Sequence, residues 1–266
     1  MSGPLRYGER VLLVDTKKHH YLVTLSEGKE FHSHKGIVRH DDLVGRDEGI
    51  VVASTRQQNY TVLRPTFEDV VLLMPRGAQV IYPKDIGPIL VRADIGPGVR
   101  VFESGVGSGA LSMGMLRVGA RIVGYELRDD FANRARTNVH EFLGEEALDR
   151  YDVHLRDAYE GIDAAHGPFD RAVLDLPEPW RVLAHLEGVL VPGASFVAYT
   201  PSIVQAAQTR EALAAGPWAE PRTMEVLVRT WHVDGLAVRP DHRMVAHTGF
   251  LTSGRFLGGA VAAHDA

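Results

Sequence analysis

The chain of 266 residues contains no cysteine. That one absence excludes disulfides, thiolate metal sites and cysteine nucleophiles. It has no apolar run near the roughly 18 residues that a membrane-spanning helix needs. Its first residues, Met1-Ser2-Gly3-Pro4-Leu5-Arg6, lack the apolar core of a secretion signal. A cytoplasmic chain without a membrane partner is therefore expected. An excess of positive charge is missing too: the formal net charge is −5, which does not suit a surface that binds a polyanion throughout. The deficit is uneven. Residues 1–65 carry 10 Lys and Arg against 8 Asp and Glu, and residues 66–266 carry 19 against 26. Five of the 13 histidines (His19, His20, His32, His34 and His40) also lie in the front segment, so a surface facing a polyanion would involve that segment first. The remaining composition, 45% hydrophobic and 24% charged, is ordinary for a globular chain with a sizeable core.

The stretch that organises the rest is Val101-Phe102-Glu103-Ser104-Gly105-Val106-Gly107-Ser108-Gly109-Ala110-Leu111-Ser112, which reads as the end of a buried strand, a glycine-rich turn and the start of a helix. Glycines at 105, 107 and 109 let the backbone take positive φ and approach a ligand closely. The spacing is G-x-G-x-G, not the G-x-G-x-x-G of a dinucleotide site, and Glu103 before it would repel a pyrophosphate. A cationic ligand suits it better. S-adenosylmethionine carries an ammonium and a sulfonium, and an acid two positions before such a turn resembles the first motif of class I methyltransferases. Alone, the turn is also compatible with being only a turn.

Its neighbours carry the argument further. Arg121-Ile122-Val123-Gly124-Tyr125-Glu126 reads as a second buried strand ending in an acid, one helix and one strand after Gly109, where a carboxylate can accept both ribose hydroxyls of an adenosyl group. A helix over 129–143 then leads to a third strand finished by Asp157, placed to accept from an adenine amino group. The fourth strand, Phe169 to Asp175, runs into Leu176-Pro177-Glu178-Pro179-Trp180. Prolines stiffen that loop and strip it of N–H donors, while Trp180 offers a planar apolar wall. The loop looks like an expanded form of the Asp/Asn-Pro-Pro-aromatic loop of methyltransferases that act on amino groups. A helix over 180–189, a fifth strand over 193–201, a Gln- and Ala-rich helix, and two β runs over 223–233 and 248–256 complete a seven-stranded sheet with its last strand antiparallel.

In front of this, residues 10–64 alternate short β-rich runs with polar turns, which predicts a small β domain. Asp15-Thr16-Lys17-Lys18-His19-His20 reads as a hairpin tip, either a solvated turn or a contact to a phosphate backbone. His32-Ser33-His34 has no third ligand in reach, so no metal site is expected. Thr66 and Asp69 signal the start of a helix. A second helix over 85–93 would leave Gln79 to Asp85 over the mouth of the ligand site. The expected division is 1–65 for the small β domain, 66–258 for the catalytic domain and 259–266 for a frayed tail.

The full set of motifs resembles, end to end, the bacterial tRNA (adenine-N1) methyltransferases that modify adenosine 58 in the T-loop. The specific pieces are Pro75 to Asp85, Glu103 to Ser112, Asp175 to Trp180, Tyr199-Thr200-Pro201 and His247 to Leu251. The resemblance implies an α/β, Rossmann-like class I methyltransferase sheet, S-adenosylmethionine as cofactor, tRNA as partner and a homotetramer. It places Val106, Gly107, Ser108 and Gly109 along the methionine part, with Glu103 beside the turn. It puts Glu126 on the ribose, Asp157 on the adenine, and Asp175 at the donor's ammonium end and the target base. Tyr82 would stack on that base, with Gln79, Tyr199 and Trp180 around it. Phe131 stands where some relatives have a histidine near the cofactor, and that contact is left out. Two alternatives stay open at this point: a class I methyltransferase for a small molecule or protein, and a non-catalytic RNA-binding subunit.

Overall fold

The computed structural model describes residues 3–77 and 79–258. It divides into two compact units, one ending at Pro75 and the other beginning at Arg76.

In the first unit, β1 (Arg10–Asp15), β2 (His20–Thr24), β3 (Glu30–Ser33), β4 (Gly36–Arg39), β5 (Val51–Ala53) and β6 (Asn59–Leu63) precede the helix α1 (Phe67–Leu73). Four strands form an antiparallel sheet in the order β2-β1-β6-β5, and β3 and β4 form a separate hairpin. Its first strand, Glu30–Ser33, is only four residues long and carries one apolar residue, Phe31, so hydrophobic patterning alone does not mark the hairpin. Val11, Leu13, Val38, Val52, Tyr60 and Val62 close the core, and Tyr60 meets Phe31 edge-on at 5.7 Å. The β1–β2 tip is organised by its own acid. Asp15 accepts from Lys17 N (2.8 Å), His19 N (3.0 Å) and Lys35 Nζ (2.7 Å), and its carboxylate lies 3.0 Å from His19 Nδ1. Lys35 first, with His19 and Lys17 adding to it, holds the Asp15 carboxyl well below the usual carboxylate range. Thr66 and Asp69 form the expected capping box at the start of α1. The helix turns back on β2, with His20 Nδ1 3.6 Å from Asp69 Oδ1, so it belongs with the β unit and the division falls ten residues beyond the expected 65/66 boundary.

The second unit follows an α/β order: α2 (Pro83–Arg92), β7 (Arg100–Ser104), α3 (Ala110–Arg117), β8 (Arg121–Glu126), α4 (Asp129–Leu143), β9 (Tyr151–Leu155), β10 (Phe169–Leu174), α5 (Leu183–Leu186), β11 (Leu190–Thr200), α6 (Ile203–Ala215), β12 (Trp218–Glu225), β13 (Trp231–Asp234), β14 (Ala237–Pro240) and β15 (Phe250–Phe256). The seven-stranded sheet runs β12-β15-β11-β10-β7-β8-β9. β11, β10, β7, β8 and β9 are parallel, and β15 pairs antiparallel with both β11 and β12. Phe102, Tyr125, Phe169, Phe196, Trp218 and Phe256 pack on the sheet as the core. The chain moves outward from β7 to β9 and then returns to β10, so the sheet reverses its order between β7 and β10. A crevice opens beyond the carboxyl ends of the strands at such a reversal.

Two expected elements differ. The single β run over 223–233 is divided, since β12 ends at Glu225 and Trp231 starts a second hairpin, β13–β14, outside the main sheet. The helix expected over 180–189 is a short 3-10 turn at 179–181 followed by four residues of α5, which fits the Pro179 at its start. The tail over 259–266 lies outside the described residues. No helix among the described residues is long and apolar enough to cross a membrane.

The Asp15 cluster makes stability depend on pH with a definite sign. A depressed carboxyl stabilises the fold above its unfolded pKa and loses that contribution as pH falls below it. Asp15→Asn is expected to lower the urea midpoint of the full chain clearly at pH 7, with the gap narrowing by pH 3. An equal gap at both pH values would show that the carboxylate charge plays no part.

Candidate functional site

Gly105 joins the two central strands at the switch point. Its φ is +82°, and a Cβ there would collide with the carbonyl oxygen of Asp175. Asp175 N donates to Ser104 O at 2.9 Å and Gly105 N to Tyr125 O at 3.1 Å, so the ends of β7, β8 and β10 are tied together in one place. The turn then passes Gly107 and Gly109, both at positive φ, into α3. Gly109 is pressed against Ala135 of α4, where a Cβ would come within 3.1 Å of its Cα and Cβ.

A cavity of about 620 Å³ opens over these strand ends. Its wall includes Ser104, Gly105 and Gly107 from the turn, Glu126, Asp157 and Asp175 from three strand ends, and Leu127, Phe131, Ala158 and Tyr159 as apolar surface. Its size and mixed lining suit a nucleoside-sized ligand. Glu126 accepts from Gly107 N (2.9 Å) and Arg128 N (3.0 Å), which fixes its carboxylate and leaves lone pairs on both oxygens. Asp157 lies just past β9, not in it, and accepts from Tyr159 N at 2.8 Å. Asp175 has its carboxyl raised to about 7, first by burial and then by the charge of Glu126. A second cavity, about 340 Å³, sits at the opposite ends of the strands among Arg100, Arg121 and Arg150, away from the reversal point.

Of the residues expected at the site, Gln79, Gly107, Glu126, Asp157 and Asp175 share this wall. Val106, Ser108 and Gly109 shape the turn behind it. Ser108 is buried, and its Oγ has no hydrogen-bond partner among the described residues. Glu103 does not reach the cavity: strand alternation turns it away from Ser104's face, and its Oε2 accepts from Ser112 Oγ at 2.7 Å. Burial raises the Glu103 carboxyl to about 8, with Asp175 and Glu126 adding to it against the Ser112 bond. Tyr82, Trp180 and Tyr199 are not on the wall. Tyr82 is the N-cap residue of α2, Trp180 is half-buried in the 3-10 turn, and Tyr199 is buried with its hydroxyl donating to Thr248 O at 2.7 Å. Burial raises Tyr199 to about 12, and Asp85, Asp175 and Tyr82 act on it in the same direction.

Several wall residues were not among the expected site residues. Tyr159 follows Asp157 by two positions and accepts from Glu178 N at 3.0 Å, joining the β9 and β10 loops. Gln205 donates to Pro177 O at 2.7 Å and accepts from Ser202 N at 3.1 Å. Ser202 and Gln205 form a capping box, a spacing that could have been read from the sequence. Phe131 lies under the Arg128 guanidinium at 3.9 Å and against Gly77, where a side chain would collide with its ring. Among the described residues, no group of three or more His, Cys, Asp or Glu is placed to hold a metal ion.

A family model for the tRNA methyltransferase complex GCD14 subunit matches residues 59–239, and a TrmI-like N-terminal model matches residues 3–52. The chain belongs to this TrmI family. It is 37% identical over 254 residues to a tRNA (adenine(58)-N(1))-methyltransferase TrmI of Thermus thermophilus, covering 94% of this chain and 96% of that one. Among solved structures, a tRNA (m1A58) methyltransferase TrmI from Aquifex aeolicus aligns with a TM-score of 0.83 at 27% identity, covering 97% and 100% of the two chains. A SAM-dependent O-methyltransferase from Thermotoga maritima aligns with a TM-score of 0.90 at 28% identity, covering 97% and 96%. The seven-stranded, Rossmann-like methyltransferase sheet with a small N-terminal β domain is thus the fold of the TrmI family and of this chain.

Buried Glu103 gives a test of the site's interior. A carboxyl raised in the fold contributes stability that is complete below its unfolded pKa and lost as pH rises through its folded value, here between about 4.5 and about 8. Glu103→Gln is expected to gain stability relative to the wild type as pH rises from 5 to 8, by at most about 1.4 kcal/mol per unit of that window. Urea unfolding at the two pH values measures it, and a constant difference would place an ionised Glu103 in contact with water.

Proposed function

We propose that Glu126, Asp157 and Asp175 hold S-adenosylmethionine in the cavity at the β7/β10 reversal, and that Asp175 and Tyr82 act on the adenine that receives the methyl group. The protein is a tRNA (adenine-N1)-methyltransferase of the TrmI family. The observation that carries the site reading is the convergence of three strand-end acids on one cavity wall. The finer reading is transfer to adenosine 58 of the T-loop, giving 1-methyladenosine, in the cytoplasm.

The residues present fit the donor. Glu126 keeps lone pairs for two ribose hydroxyls, Asp157 faces the same cavity for an adenine amino group, and Asp175 for an ammonium. Ser108 brings an unsatisfied hydroxyl to the turn where the methionine part would lie, beside Val106, Gly107 and Gly109. Glu103 supports that turn from behind through Ser112. When bound, S-adenosylmethionine supplies a methyl group on a positively charged sulfur.

Adenine N1 is unprotonated near neutral pH and carries an in-plane lone pair, so this chain has to position the base more than deprotonate it. Asp175 accepts from N6 and faces the positive charge that grows on the ring, a stabilisation made stronger by its low-dielectric surroundings. Tyr82 holds the plane of the base, with Gln79 and Trp180 beside it. Tyr199 contributes its ring face, since its hydroxyl is committed to Thr248. The T-loop buries its target, so the nucleotide is extruded for reaction. Exposed Trp231, Val233, Leu236 and Val238 on the β13–β14 hairpin support self-association, in the form of a homotetramer.

Mass mapping of nucleosides in tRNA incubated with the protein and S-adenosylmethionine is expected to find 1-methyladenosine at position 58. Unmodified tRNA would overturn the reading in favour of another acceptor. Asp175→Ala is expected to slow single-turnover methylation by about two orders of magnitude. Tyr82→Ala removes a stacking face worth about 1–3 kcal/mol and is expected to slow transfer while tRNA affinity, set by distant phosphate contacts, barely moves. Near-normal rates for Asp175→Ala would remove the chemistry from the 175–180 loop. In the wild type, the ascending limb of the pH–rate profile is expected at or below pH 7, because a bound cation favours the ionised form of a carboxyl that burial raises to about 7.

A further inference from the structure

The His247-Thr248-Gly249 turn lies outside the cavity wall, yet three chain segments are fastened to it, and one of them carries the wall residue Pro201. Thr248 Oγ1 donates to Asp85 Oδ2 at 2.6 Å, and Tyr199 Oη donates to the Thr248 carbonyl at 2.7 Å. His247 lies with Nδ1 2.7 Å from Glu225 Oε1 and Nε2 2.8 Å from the carbonyl of Pro201, a wall residue. Glu225 first, then the Pro201 carbonyl, raises the His247 imidazole above its usual value, as a ring that donates to both requires. Gly249 sits flat on Tyr199, and a Cβ there would run into the phenol ring. The Asp85 carboxylate is completely buried, and its other oxygen takes Lys84 Nζ at 2.9 Å. The same ammonium donates to Val226 O at 2.6 Å.

Asp85 is the third residue of α2, and its own N–H and that of Ile86 close the first turn on the carbonyl of Tyr82, at 2.8 and 3.1 Å. Fixing the Asp85 side chain therefore fixes the backbone of Tyr82. A buried carboxylate is held to one geometry because leaving either oxygen unpaired is costly. We propose that Lys84, Asp85 and Thr248 are positioning residues that clamp the start of α2 to the 247–249 turn and so set Tyr82 against the base. The inference rests on the reading of Tyr82 as the group beside the acceptor adenine. The clamp touches neither donor nor acceptor. It acts on the rate of transfer and leaves the donor site, built from strand ends on the far side of Asp175, alone.

Thr248→Val removes the hydroxyl at constant volume, and Lys84→Met cuts the clamp from the other side should the first variant fold poorly. Each is expected to slow single-turnover tRNA methylation by about ten- to a hundredfold, the scale of a misplacement near 1 Å. The dissociation constant for S-adenosylhomocysteine is expected to stay within about twofold, since hydrogen bonds to the donor are untouched. Thr248→Ser, which keeps the hydroxyl, is expected to restore the rate. Amide exchange adds a readout independent of activity: the N–H groups of Asp85 and Ile86 are expected to exchange at least about tenfold faster in Thr248→Val, as a local opening. Unchanged exchange at those two amides, an unchanged rate, or a parallel loss of S-adenosylhomocysteine affinity would each overturn the clamp. A wild type that leaves tRNA unmethylated would overturn the acceptor assignment instead, and the exchange result would still decide whether the clamp exists.

Discussion

The contact between Gly105 and the backbone of Asp175 is the constraint on which the larger unit depends. Only a glycine allows β7 to end directly against the end of β10, and only that closeness lets Asp175 N reach Ser104 O. From this junction the glycine turn starts, the 175–180 loop departs and the crevice between outgoing and returning strands takes its width. The cavity wall is then built around strand ends, whose positions are set by the sheet and its aromatic core, with the loops that follow them completing it.

Three acids crowd this junction, and the fold treats them differently. Glu126 receives two backbone N–H groups, which hold its carboxylate in one orientation. Asp175 has no such donors among the described residues and is raised by burial, and Glu103 is raised further because it is walled off behind the strand. A site that holds one carboxylate in place and leaves another, Asp175, raised to about 7 can bind a cation and keep a carboxyl whose charge responds to what is bound.

Much of this was legible in the residues. The G-x-G-x-G turn, the acids ending the second to fourth strands, the Thr66 capping box and the α4 span were all readable, because strand-end spacing and local capping are short-range signals. Tertiary facts were not. Glu103 and Ser104 are neighbours in sequence, yet only the alternation of β7 decides that one faces α3 and the other the cavity. Phe131 reaches the wall from the start of α4 and Tyr159 from the loop after β9, and the roles of Lys84 and Asp85 exist only when Thr248, more than 160 residues away, is beside them. The division of the 223–233 run into β12 and a hairpin likewise depended on which strand edge was free to pair, a choice that alternating hydrophobicity cannot make.

Gln205 shows how a local signal can carry distant information. At the third position of α6, either Gln or Glu would satisfy the helix start, since both offer an oxygen to Ser202 N. The amide's other end donates to the carbonyl of Pro177, in the loop that borders the cavity. A glutamate would keep the helix and set an anion against that carbonyl oxygen. The choice of amide over acid at an ordinary capping position is therefore made by a loop 28 residues upstream, and two side chains that are interchangeable to the helix are opposites to the crevice.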